Sequence, residues 1–129
     1  MTSGTDKIIK EILVIDDDDV ILKSIQRQLK GESLNLELVN DPIEGLNKIE
    51  RKRYNLVLSD IMMKPISGLE VLKRIKSSHP EVPVIMLTGF VDDQIIENAR
   101  RIGSSDFLIK PIRKRELLQS IYNVLSMQE

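Results

Sequence analysis

The chain has 129 residues, 41% of them apolar, and its 19 basic against 20 acidic side chains leave a formal charge of −1. That length suits one domain with a real core, and the charge balance argues against the broad positive field that direct nucleic-acid binding requires. The absence of cysteine removes disulfides and thiolate chemistry, and no apolar run approaches the roughly 20 residues of a membrane span, so a soluble cytoplasmic protein with no membrane partner is expected.

Residues 1–9 lack the apolar core of a signal peptide and read as a flexible tail ahead of one domain over residues 10–129. Residues 11–16 (EILVID) form the first apolar run, ending on Asp16-Asp17. Val20, Ile21, Ile25 and Leu29 then recur at helical spacing, with Gly31 placed to end that helix. Residues 35–40 are the most polar strand, alternating Leu36, Glu37 and Leu38, and belong at a sheet edge. Asp41-Pro42-Ile43-Glu44 supplies an N-cap, a first-turn Pro and a capping-box Glu for a second helix carrying Ile43, Leu46 and Ile49.

Residues 55–60 follow, a run that stops on Asp60, and Leu69, Leu72 and Ile75 mark the third helix. Residues 82–88 end on Thr88, with Gly89 beside it and Phe90 in the loop beyond. Ile95, Ile96, Ala99 and Ile102 form the fourth helix, closed by Gly103. Residues 105–110 end on Lys110, and Leu117, Leu118, Ile121, Val124 and Leu125 give the fifth helix, with no output domain expected after it within these 129 residues.

Five apolar strands alternating with five helices predict an α/β domain with a doubly wound parallel sheet. Continuous Ile, Leu and Val runs fit strands buried on both faces. Ligands bind such sheets outside the carboxyl ends of the strands, where Asp16, Asp17, Asp60, Thr88 and Lys110 all fall. Adjacent carboxylates raise one another's pKa, and a hard divalent cation such as magnesium relieves this. Asp18 and Asp19 read as helix-capping residues instead. A carboxylate can attack phosphorus, and Thr88 and Lys110 are suited to phosphoryl oxygens. Taken singly, each has a plainer explanation: a turn for Asp60, strand preference for Thr88, solvent for Lys110. The X-Pro bond at Lys110-Pro111 is a place for a cis peptide.

The set Asp16-Asp17, Asp60, Thr88-Gly89 and Lys110-Pro111, in that order after successive strands, resembles the receiver domain of two-component response regulators over residues 11–127. The resemblance implies a flavodoxin-like sheet of order 2-1-3-4-5, an order the general account of doubly wound folds already gives for this family. It implies Asp60 as phosphoacceptor, Asp17 as a direct ligand of Mg2+ (or Mn2+), Asp16 as a ligand through water, and the Met62 backbone carbonyl as a further ligand. Thr88 and Lys110 would bind the phosphoryl oxygens, with Thr88 and Phe107 as switch residues. It further implies a histidine kinase or phosphotransfer protein as donor and a downstream effector protein or domain as reader. The domain would be a signalling element and not an enzyme beyond its own phosphorylation and dephosphorylation. A homodimer through the fourth and fifth helices is compatible with the sequence, which carries no decisive sign of one.

One departure stands out: the family's Asp-x-x-Met-Pro-x-Met-x-Gly is here Asp60-Ile61-Met62-Met63-Lys64-Pro65-Ile66-Ser67-Gly68, with Pro one place late and Lys64 in its position. Phe107 stands where Tyr or Phe is usual and lacks the hydroxyl. The alternative reading, a haloacid-dehalogenase-like phosphatase, would use Asp16 as nucleophile and Asp18 as acid/base. It lacks an acidic pair after Lys110, where only Glu116 and Glu129 carry carboxylate side chains, and leaves Asp60 idle. His79, the one histidine, reads as a solvated loop residue.

Overall fold

The computed structural model describes residues 8–128. Most of the expected tail therefore lies outside the described residues; Ile8 and Ile9, which are described, are exposed and precede the first strand. The elements run β1 (Lys10–Ile15), α1 (Asp19–Gln28), β2 (Leu34–Val39), α2 (Pro42–Arg51), β3 (Leu56–Asp60), α3 (Gly68–Ser78), β4 (Val84–Thr88), α4 (Asp93–Ile102), β5 (Asp106–Ile109) and α5 (Lys114–Ser126).

All four strand pairings are parallel, and the sheet order is β2-β1-β3-β4-β5. The polar second strand does lie at an edge. Central strands β3 and β4 are buried at every position, because helices cover both faces of a parallel sheet. Side chains alternate between two cores. Ile12, Val14, Leu56, Leu58, Ile85 and Leu87 face α1 and α5. Leu13, Ile15, Val57, Val84 and Met86 face α2, α3 and α4. Each such fully buried side chain contributes about 1.5–3 kcal/mol, so the sheet is the rigid part from which the loops project.

Local signals act as the sequence implies. Asp18 caps α1 by accepting from the Val20 N–H. Asp41 caps α2 by accepting from the Glu44 N–H, with Pro42 in the first turn. Gly103 is the C-cap of α4 at φ +126°, a conformation that favours glycine. Gly31, at φ +90°, lies two residues beyond the Leu29 cap of α1 and turns the connection to β2 instead of closing the helix itself. His79 is the C-cap of α3, half-buried between Ser78 and Glu50, and so less solvated than a free loop residue.

The strand bounds shift by one or two residues from expectation everywhere except at the carboxyl ends of β3 and β4. β1 stops at Ile15 and β5 at Ile109, so Asp16 and Lys110 lie just past the ladder. β4 begins at Val84 because Pro83 has no N–H to donate; its carbonyl still accepts from Val57 N–H at 3.0 Å. On the α2 side of the β2 edge, Glu37 is held by Lys48, Lys52 and the Tyr54 hydroxyl. These donors bring the Glu37 carboxyl down to about 2.

Candidate functional site

The carboxyl ends of β1, β3, β4 and β5 open on one side of the sheet, and the acidic cluster forms there. Asp60 ends β3 and is 4% exposed, while Asp16 follows β1 and is fully buried. Asp17, next along the chain, is exposed to solvent. A carboxylate oxygen from each of Asp16, Asp17 and Asp60 lies within 4.8 Å of the others. One face of the cluster is thus wet and the other dry.

Lys110 closes the dry side. Its ammonium stands 2.9 Å from Asp16 Oδ2 and 3.3 Å from Asp60 Oδ2. Sequence reasoning paired Lys110 with Asp60 or with phosphate; the contact with Asp16 depends on how β5 abuts β4, which spacing alone does not reveal. Asp16 Oδ1 accepts the Asp18 N–H at 2.9 Å. Asp16 Oδ2, by contrast, is buried with no aligned hydrogen bond and meets the ammonium by charge.

These surroundings move the titrations. Burial, reinforced by the neighbouring Asp16 carboxylate, pushes the Asp60 carboxyl up to about 6 against the pull of Lys110 and the Met62 N–H. Asp16 is raised too, mainly by burial, although the Asp18 N–H and Lys110 oppose it. Burial acts to lower Lys110, but the two carboxylates together hold its ammonium above its ordinary value. Two acids share one ammonium. The donor set fits a hard divalent ion: three carboxylates within reach, one carrying an oxygen with no aligned hydrogen bond.

The loop after β3 wraps Asp60. The Met62 N–H donates to Asp60 Oδ1 at 3.3 Å, and the Gly68 N–H donates to the Ile61 carbonyl at 2.7 Å. Met63 is buried, whereas Met62 and Lys64 are exposed. Lys64 makes no ion pair among the described residues, and both Lys64-Pro65 and Lys110-Pro111 are cis. Gly68 is needed for closeness: a Cβ there would stand 1.8 Å from the Asp60 carbonyl oxygen and 2.6 Å from Ile61 Cα. The motif contained this glycine, but only the folded loop shows what it touches.

Thr88 is brought to the same edge and is 2% exposed, yet its hydroxyl is turned into its own loop. It donates to the Phe90 carbonyl at 3.0 Å and accepts the Phe90 N–H at 3.1 Å. Reaching a group on Asp60 therefore requires breaking an ST-turn. Gly89 has no atom within 4 Å of its would-be Cβ, consistent with open space beside Thr88. Phe90 is 62% exposed and not folded onto the domain. Phe107 is half-buried on β5 against the core beneath α4. Asp18 caps α1, a structural role that accounts for it without the phosphatase reading.

The model of the family described as response regulator receiver domain matches residues 12–122. Transcriptional regulatory protein ZraR of Klebsiella oxytoca is 36% identical over 102 residues, which are 79% of this chain and 23% of that protein. Response regulator MprA of Mycobacterium leprae is 34% identical over 116 residues, 88% of this chain and 50% of its own length. A crystal structure of a response regulator receiver domain protein (CheY-like) from Methanospirillum hungatei matches with TM-score 0.89 at 33% identity, covering 94% of this chain and 97% of that one. The chain thus spans half or less of these two curated relatives and nearly all of the solved domain.

Proposed function

The chain belongs to the response regulator receiver domain family, and from that premise we propose that it is a phosphorylation-dependent switch with Asp60 as acceptor. The observation that carries the assignment is the cluster itself: a buried β3-terminal carboxylate beside two further aspartates and a lysine ammonium. Residues 10–129 form the phosphoacceptor unit in this reading. In the reaction an Asp60 carboxylate oxygen forms a bond to phosphorus as the N–P bond of a histidine kinase's or phosphotransfer protein's phosphohistidine breaks. The imidazole leaves with the electron pair and takes a proton, and an aspartyl phosphate remains.

Asp16, Asp17, Asp60 and the Met62 carbonyl would hold Mg2+, or Mn2+ in its place. When bound, the ion supplies charge neutralisation and orientation of the phosphoryl oxygens. Lys110 already points at Asp60 and is placed to follow the new oxygens. The product adds about −1.5 to −2 charges and three acceptors. Thr88 then has a better partner than the Phe90 backbone, and its rotation releases that loop. Phe107, on the neighbouring strand, is placed to respond, and the surface of α4, β5 and α5 is where a downstream protein reads the change. The same surface is where two copies would associate. Direct partners are proteins and not nucleic acid, in keeping with the −1 charge of the chain. A cytoplasmic location fits a kinase donor; among the described residues no helix is long and apolar enough to cross a membrane.

The test is incubation with acetyl phosphate and Mg2+ followed by intact mass measurement, with Asp60→Asn as control. One phosphoryl adduct on the wild type and none on the variant is the expected result. An equal adduct on both proteins removes Asp60 as acceptor.

A further inference from the structure

Gln28 is the last residue of α1, far in sequence from the cluster, and its side chain crosses to the loop that follows β5. Its Nε2 donates to the Ile112 carbonyl at 2.8 Å and to Ser24 Oγ at 3.2 Å. Its Oε1 is buried without a hydrogen-bond partner among the described residues. An unsatisfied buried acceptor is destabilising, and such groups in a native structure call for an explanation. An apolar side chain at this place would match the neighbouring Ile25 and Leu29 and carry no such cost.

The loop supplies the explanation. Lys110 has a flexible four-carbon stem, so where its ammonium points depends on how firmly its backbone is held. On one side, the Lys110 N–H donates to the Thr88 carbonyl at 2.7 Å. On the other, Pro111 has a ring-fixed φ, and the next carbonyl, that of Ile112, is the one Gln28 binds. Among the described residues this is the only side-chain hydrogen bond to residues 111–113. Removing it leaves Pro111 and Ile112 held by the packing of Ile112, with Arg113 tied to α5 through the Leu117 N–H.

We propose that Gln28 is a positioning residue for the phosphoryl-transfer site: by holding the Ile112 carbonyl it aims Lys110 at Asp16 and Asp60. This rests on the Lys110 role given under Proposed function.

The experiment compares wild type, Gln28→Met, Lys110→Met and the double variant, with Gln28→Leu replacing Gln28→Met should the latter fail to fold. Phosphorylation by acetyl phosphate with Mg2+ is followed by intact mass, and the order of the Lys110 side chain by carbon-13 relaxation at Cε in the metal-free protein. Gln28→Met should slow phosphorylation about tenfold, as loosened positioning does, and should add nothing in the Lys110→Met background. The Lys110 Cε should also become as mobile as that of an exposed lysine. Equal slowing in both backgrounds, or Cε relaxation unmoved by the substitution, would overturn the proposal. A Lys110→Met protein that reacts like wild type while Gln28→Met still frees the Cε would instead remove the catalytic role of Lys110 and leave the positioning intact.

Discussion

Gly68→Ala is the sharpest perturbation available, because a single methyl group would be set against the backbone of Asp60, the proposed acceptor. The new Cβ would stand 1.8 Å from the Asp60 carbonyl oxygen, 2.6 Å from Ile61 Cα and 2.7 Å from the Asp60 carbonyl carbon, where ordinary contact begins at 3.4 Å. No rotamer relieves this, since all three atoms are main chain. Either the start of α3 or the Asp60-Ile61 peptide must retreat by roughly 1.5 Å, and a displacement of about 1 Å in a reacting group can cost on the order of 100-fold in rate. Overpacking costs about 1–3 kcal/mol where side chains can yield. Against it stands the gain of about 1 kcal/mol from replacing Gly by Ala in a helix. With rigid neighbours the cost lies at the upper end of that range, and the net loss should be about 2 kcal/mol. Urea unfolding and the acetyl phosphate assay measure the two effects. Gly45→Ala is the internal control: its methyl meets side chains only, at 2.6 Å from Ile15 Cδ1 and 2.9 Å from Cγ1, and no main-chain atom of Asp60 or Ile61 is among its nearest neighbours. A Gly68→Ala protein within about 1 kcal/mol of wild type, phosphorylated at a comparable rate, would refute the close-approach argument.

Asp60→Asn should stabilise the metal-free protein at pH 7. The Asp60 carboxyl rises from 3.8 to about 6 on folding, so its ionised form disfavours the fold; at 1.36 kcal/mol per pH unit the ceiling is roughly 3 kcal/mol, and solvent at the cleft mouth reduces it to about 1–2 kcal/mol. The wild-type deficit develops as pH climbs from about 4 through 6 and vanishes below 4, where the acid is protonated in both states; urea melts in chelator at pH 3.5 and 7 should show it, and an equal difference at both would contradict the sign. Mg2+ should raise the wild-type melting temperature in a saturable manner, and Asp17→Asn should lose most of that shift, whereas an undiminished shift argues against Asp17 as ligand. Thr88→Ala should still accept the phosphoryl group, but the phosphorylation-dependent shift of the Phe90 amide resonance should disappear, because the hydroxyl it now donates to is gone; persistence of that shift would uncouple Thr88 from the loop.

Much of this was legible before any coordinates. The apolar runs identify the sheet because burial on both faces demands unbroken Ile, Leu and Val, and the polarity around Glu37 marks β2 as an edge. Asp16, Asp17, Asp60 and Lys110 follow from strand ends, since parallel topology forces those ends together. What was not legible depends on side-chain direction and on loop path. The turning of the Thr88 hydroxyl toward Phe90 is decided by the path of the four-residue loop between β4 and α4, and the bridging of Lys110 to Asp16 by lateral strand spacing. The pressure of Gly68 on Asp60 and the reach of Gln28 to Ile112 join residues 8 and 84 positions apart. Neither separation has a period that a sequence pattern could carry.

The two margins of the sheet have a consequence of their own. A bare strand edge invites a strand from another molecule, and proteins resist this with short outer strands and charges turned inward. Here β5 has four residues and begins on Asp106, while β2 carries Glu37 clamped by two lysines. Accidental recruitment through backbone pairing is thereby discouraged at both ends, and other proteins are left to approach through helices and loops, the parts that the proposed phosphorylation of Asp60 would rearrange.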